Sequence, residues 1–133
     1  MTISLIAAGY LVLANLLVAL FQFALAAGAP MGQYAWGGAN AGKLPVKWRI
    51  GSAASGLFLL AVAGHYASEL GVFAPLLGSG ARLIVLWVLT AFTALSTLGN
   101  YRSRSADERR LFGPVAASML VANVLLLVFG HLN

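Results

Sequence analysis

Residues 3–27 read ISLIAAGYLVLANLLVALFQFALAA, a run without a single Asp, Glu, Lys or Arg. Wound as an α-helix at ~1.5 Å per residue, it is long enough to cross ~30 Å of hydrocarbon with some tilt. Its end, Ala24 to Ala29, has the small residues of a signal-peptidase site. No Lys or Arg precedes the run, however, and the run exceeds the apolar stretch of a signal peptide, so the segment is expected to be retained as a span.

Three further apolar runs follow, at about 50–66, 83–98 and 111–129. Two are near the lower limit of ~17 residues for a span and must recruit flanks such as 46–49 and 81–82, whose charged side chains can snorkel. The helices are therefore expected at about 3–27, 48–67, 81–99 and 108–130. This predicts an all-α, membrane-embedded four-helix bundle occupying residues 1–133 as a single domain.

Composition agrees with a lipid solvent. The 133 residues are 61% hydrophobic and 8% charged, against about 45–50% and 25% in soluble domains. The net charge of +5 comes from basic residues flanking apolar runs, where anionic lipid head groups lie, so membrane surface is expected as the partner and nucleic acid is not. Cysteine is absent, which excludes disulfides, thiolate metal sites and thiol catalysis.

Charge also predicts orientation. The linkers after the first and third helices share one side of the membrane. Lys43, Lys47 and Arg49 lie in or beside the first, and Arg102, Arg104, Arg109 and Arg110 in or beside the second. Arg82 alone lies at the opposite side, with Glu69. The positive-inside rule makes both linkers cytoplasmic and both termini non-cytoplasmic. Trp36, Trp48 and Tyr101 are expected as interfacial anchors, and the apolar linker 67–80 is expected to lie in the opposite interface.

Polar residues inside the spans are the candidate site. Asn15 and Gln22 are two turns apart on one face of the first helix, and Thr90, Thr93, Thr97 and Asn100 share one stripe of the third, with Ser96 beside it. Ser118 and Asn123 add polar groups on the fourth helix. These residues serve either as interhelical hydrogen-bonding groups or as the lining of a polar cavity between helices one and three. Arg49, Arg102, Arg104 and Arg109 would form a basic cytoplasmic mouth able to hold a lipid phosphate. No charged residue lies in the middle of a span, which argues against a coupled transporter.

Other features carry structural expectations. Helix two holds Gly51, Ser52, Ser55 and Gly56 in small-x-x-x-small pairs, which would place it centrally or at a dimer seam. His65 and Glu69, four residues apart, are expected to form an interfacial polar pair; no metal or cofactor is expected, because a metal needs three or four matched ligands. Glycines from 28 to 42 interleaved with Tyr34, Trp36 and Leu44 predict an ordered linker packed on the end of the bundle. It lacks the Gly-Lys-Ser/Thr of a phosphate loop. Ser105 and Glu108 form a capping box that starts helix four outside the membrane. Pro114 is expected to bend that helix. Asp107 and Glu108 are candidates to pair with Arg49, Arg104 or Arg109 across the linkers.

Two stretches carry a likeness. Gly28, Ala29, Pro30, Gly32, Trp36, Gly37, Gly38, Gly42, Leu44, Pro45, Arg49 and Ser52 form one. Asn100, Ser103, Ser105, Glu108, Arg109 and Pro114 form the other. In both, and over nearly its whole length, the chain resembles a group of small bacterial four-helix integral membrane proteins with no established activity. The resemblance implies a multi-pass protein of the bacterial cytoplasmic (inner) membrane and implies no chemistry. With no nucleophile and base brought together, the leading expectation is a non-enzymatic protein acting by association, as a homo-oligomer or an accessory subunit of a membrane complex. The alternatives are a ligand-binding or lipid-modifying protein and a small oligomeric channel.

Overall fold

A computed structural model describes residues 2–132. Four long helices carry the chain: α1 (Ile3–Ala26), α2 (Val46–Glu69), α3 (Ser79–Tyr101) and α4 (Ala106–Gly130). All four are long and apolar enough to cross a membrane, and no strand forms among the described residues.

The helix ends follow local chemistry. Thr2 caps α1, its hydroxyl accepting from the Leu5 N–H at 3.3 Å. Ser105 caps α4, accepting from the Glu108 N–H at 3.2 Å, which satisfies one of the N–H groups a helix start leaves without a partner. Pro45, whose fixed φ suits a helix entrance, precedes the first residue of α2. α2 and α3 start two residues before their sequence-based positions, as does α4, because flanking residues complete the first turn. α4 continues through Pro114 as one helix.

The helices alternate in direction, so the 27–45 and 102–105 linkers meet at one end, here the basic end. Linker 70–78, the start of α1 and the end of α4 meet at the other. Close backbone packing runs in the order α2, α1, α4, α3, whereas α2 and α3 stand apart. Small residues are buried on both helices, Ala7, Ala8, Ala14 and Ala19 on α1 and Ala116 and Ala122 on α4, which allows close helix packing. Leu11, Tyr66, Leu86, Met119 and Leu126 complete the core beside them.

Helix two is therefore not the centre of the bundle. Its small residues serve one neighbour and the linker. A side chain at Gly56 would meet the Phe23 ring of α1 at 2.7 Å, and one at Gly51 would meet Trp36 at 3.1 Å. Ser52 is fully buried and accepts from the Trp36 indole N–H at 3.0 Å.

The 27–45 linker forms a second small core from Leu25, Ala35 and Leu44 against Phe21, Met31 and Trp48. Two short 3-10 turns, Gly32–Tyr34 and Trp36–Gly38, shape it. The Gly32 N–H donates to the Gly42 carbonyl at 2.8 Å, closing the loop. The Ser105 hydroxyl donates to the Gln33 carbonyl, tying this linker to the start of α4. Gly38 has φ +74° and lies where a side chain would strike Ser105, so both its backbone and its neighbour require glycine.

Candidate functional site

Where α2 and α3 stand apart, a cavity of about 530 Å³ opens inside the bundle, within the ~300–1,000 Å³ of small-molecule sites. All four helices and the first linker line it. Phe21, Phe58, Leu59, Val62, Leu89, Phe92, Phe112 and Met119 supply apolar walls. Phe58 and Phe92 meet edge to face across the α2 and α3 gap, ring centroids 5.5 Å apart.

The polar groups are graded along its length. At mid-bundle a buried chain crosses three helices. The Tyr66 hydroxyl donates to Asn123 Oδ1, and Asn123 Nδ2 donates to Thr93 Oγ1 at 3.1 Å and to the Met119 carbonyl at 3.1 Å. Tyr66 and Thr93 present this chain to the cavity. Asn15 is buried beside it and donates to the Leu11 carbonyl at 2.8 Å. Toward the basic end lie Gln22, Ser55, Ser96 and Asn100, and the floor is formed by Tyr34, Ala35, Trp36 and Glu108. Glu108 is 8% exposed. Among the described residues its carboxylate makes no hydrogen bond and no ion pair.

Asn15, Gln22, Thr93 and Asn100 thus share one cavity, as their spacing allows. Thr90 and Thr97 do not line it. Their hydroxyls donate back along α3, to the Leu86 and Thr93 carbonyls, each at 2.7 Å. The cavity lies between α1 and α3, which stand across the bundle from one another, and α2 and α4 line it as well.

None of Arg49, Arg102, Arg104 and Arg109 lines the cavity. Arg49 Nε donates to the Ala26 carbonyl at 3.0 Å, at the C-terminal end of α1, where helix carbonyls lack intrahelical partners. Arg109 donates to the Ser103 carbonyl at 2.7 Å. Arg102 and Arg104 are exposed. No ion pair links Asp107 or Glu108 to Arg49, Arg104 or Arg109 among the described residues; backbone carbonyls hold Arg49 and Arg109.

A second polar cluster closes the opposite end. Glu69, the last residue of α2, meets Arg82 of α3 at 3.2 Å and His131, just past α4, at 3.0 Å. His65 and Glu69 share no hydrogen bond or ion pair among the described residues: Arg82 and His131 hold the carboxylate, and His65 Nε2 is buried without a partner. No group of three His, Cys, Asp or Glu able to hold a metal occurs among the described residues.

Sequence reasoning missed Tyr66, Glu108 and His131 as parts of these sites. Tyr66 reads as the end of an apolar run, Glu108 as a capping residue and His131 as tail. Only the order of the helices around the bundle reveals the partners of Tyr66 and His131 and the cavity beside Glu108. Comparison with protein-family models, curated proteins and solved structures finds no match to this chain.

Proposed function

We propose that this protein is a membrane-embedded binding protein that holds an amphipathic small molecule between its helices. The cavity of about 530 Å³ carries this reading. Its aromatic and aliphatic walls match an apolar body, and its polar groups, which begin at Tyr66, Thr93 and Asn15, are more numerous toward the end where Asn100 and Glu108 lie. A ligand of that kind would lie along the bundle with its head at the basic end, the same direction as a lipid in the surrounding leaflet. The gap between α2 and α3 gives entry from the bilayer. The clustering of Lys43, Lys47, Arg102, Arg104 and Arg110 at that end supports a cytoplasmic position for it, with both termini outside, in a bacterial cytoplasmic membrane with anionic lipids against the basic linkers.

Ala54→Trp fills the cavity from α2 and tests the reading. Mass spectrometry of the chain released from lipid nanodiscs should show one retained small molecule per wild-type chain and none on the variant. Bare chains in both would refute it.

Association with a second copy or another membrane protein is the second reading, favoured by the open α2 and α3 side of the bundle. α3 buries only Leu86, Leu89 and Thr93 and presents Ile84, Trp87, Val88 and Leu95 outward. Stoichiometric protein partners in the same mass spectra would support it, and a strictly monomeric chain that copurifies with nothing would exclude it.

A further inference from the structure

We propose that the cavity selects a lipophilic cation, an ammonium or similar positive group carried on an apolar body; this rests on the binding reading above. The sign of the charge follows from the lining. Glu108 is the one ionisable carboxyl group there, and no Lys, Arg or His lines the cavity. It is more than nine-tenths buried and has no hydrogen-bond or ion-pair partner among the described residues. A carboxylate on the wall of a largely apolar cavity, with no ion-pair partner, lacks a counter-charge, and a cationic ligand supplies it.

The surroundings of Glu108 suit a cation further. Tyr34, Trp36, Phe21 and Phe112 line the same end, and aromatic faces attract positive groups most strongly where water is excluded. Nearby acceptors are also free: Gln22 Oε1 is buried without a donor.

The arginines of the basic end would favour an anion if they faced the cavity. They do not. Arg49 and Arg109 are turned to backbone carbonyls. Arg102 and Arg104 are exposed, where salt screens their field within about 8–10 Å. The carboxylate on the cavity wall, not the exposed guanidiniums, therefore sets the charge a ligand meets inside. Those same surface charges repel a cation arriving from water, so entry runs from the bilayer through the α2 and α3 gap.

The test uses probes of nearly one shape and three charges: tetraphenylphosphonium, tetraphenylborate and neutral triphenylphosphine oxide. Each is titrated into the full-length protein in nanodiscs, with binding to empty nanodiscs subtracted. Saturable binding of one tetraphenylphosphonium per chain is expected, weakened about tenfold or more by Glu108→Gln, as for loss of a charge-assisted contact. Glu108→Asp should keep the preference for the cation. Tetraphenylborate binding as tightly as the cation would overturn the proposal on the wild-type protein alone. So would a folded Glu108→Gln protein that holds the cation unchanged.

Saturable binding of the neutral probe or the anion, abolished by Ala54→Trp, with no preference for the cation, would sink the charge assignment and leave the cavity reading standing. Failure of all three probes would remove both. Repeating the titration with phosphatidylethanolamine added to anionic nanodiscs identifies the source. A right-shifted isotherm marks the amine head group of a lipid as the occupant, an unshifted one a free cation, and each is the behaviour of a cation site.

Discussion

Every polar atom of the Asn123 side chain is engaged: Oδ1 accepts from Tyr66, and Nδ2 donates to Thr93 Oγ1 and to the Met119 carbonyl. Between helices in lipid such bonds average about 0.6 kcal/mol and reach about 1.7. Tyr66→Phe should therefore lower unfolding stability by an amount in that range. Asn123→Ala strands both the Tyr66 hydroxyl and its hold on α3, and should cost more. The unfolding midpoint in a mixed-detergent titration reads both. Equal midpoints for wild type and Asn123→Ala would show that these three helices are held by packing alone. Thr93 belongs to the same chain of contacts yet also faces the cavity, so structural and binding roles meet at one hydroxyl.

α2 shows how an element's small residues divide into those that pack and those that do not. Gly56 lies against the Phe23 ring, and an added Cβ would meet it at 2.7 Å, whereas one at Gly64 would meet nothing within 4 Å. Gly56→Ala should destabilise by about 1–3 kcal/mol through overpacking. Gly64→Ala should be neutral or stabilising by up to about 1 kcal/mol through helix propensity. The same detergent titration separates them, and a reversed order would mean that α2 presents its other face to α1.

These residues also mark what could be read without coordinates. The apolar run 3–27 and its three successors announce four spans, and the 7-residue spacing of Asn15 and Gln22 announces a shared face. Spacing is not sufficient for Thr90 and Thr97: a stripe on α3 is wider than the wedge that faces the cavity, and a threonine hydroxyl can bond within its own helix. The partners of Glu69 and Asn123 were illegible, because His131 lies 62 residues from Glu69 and Asn123 lies 57 from Tyr66. Only the order α2, α1, α4, α3 brings them together.

At the scale of the molecule, that order leaves one side unclosed. The Glu69, Arg82 and His131 cluster pins α2, α3 and the end of α4 at one end, while the linker containing Trp36 covers the other. Between them α2 and α3 are joined by side chains, not by close backbone packing. Spin labels on outward positions of α2 and α3, at mid-bundle, should give a broader distance distribution than a pair on α1 and α4, and should narrow when the cavity is filled. Equal widths would indicate a closed bundle.

The absence of native cysteine permits the most direct test of an accessible cavity. Single cysteines at Ser55 and Ser96, which line it, and at Leu95, which is 70% exposed on the outer face of α3, are compared for alkylation by N-ethylmaleimide in lipid. Reaction needs the thiolate and therefore water. Rapid modification at positions 55 and 96, slowed by an occupying ligand, with little at 95, is the predicted result. Modification at 96 no faster than at 95 would contradict a cavity between these helices.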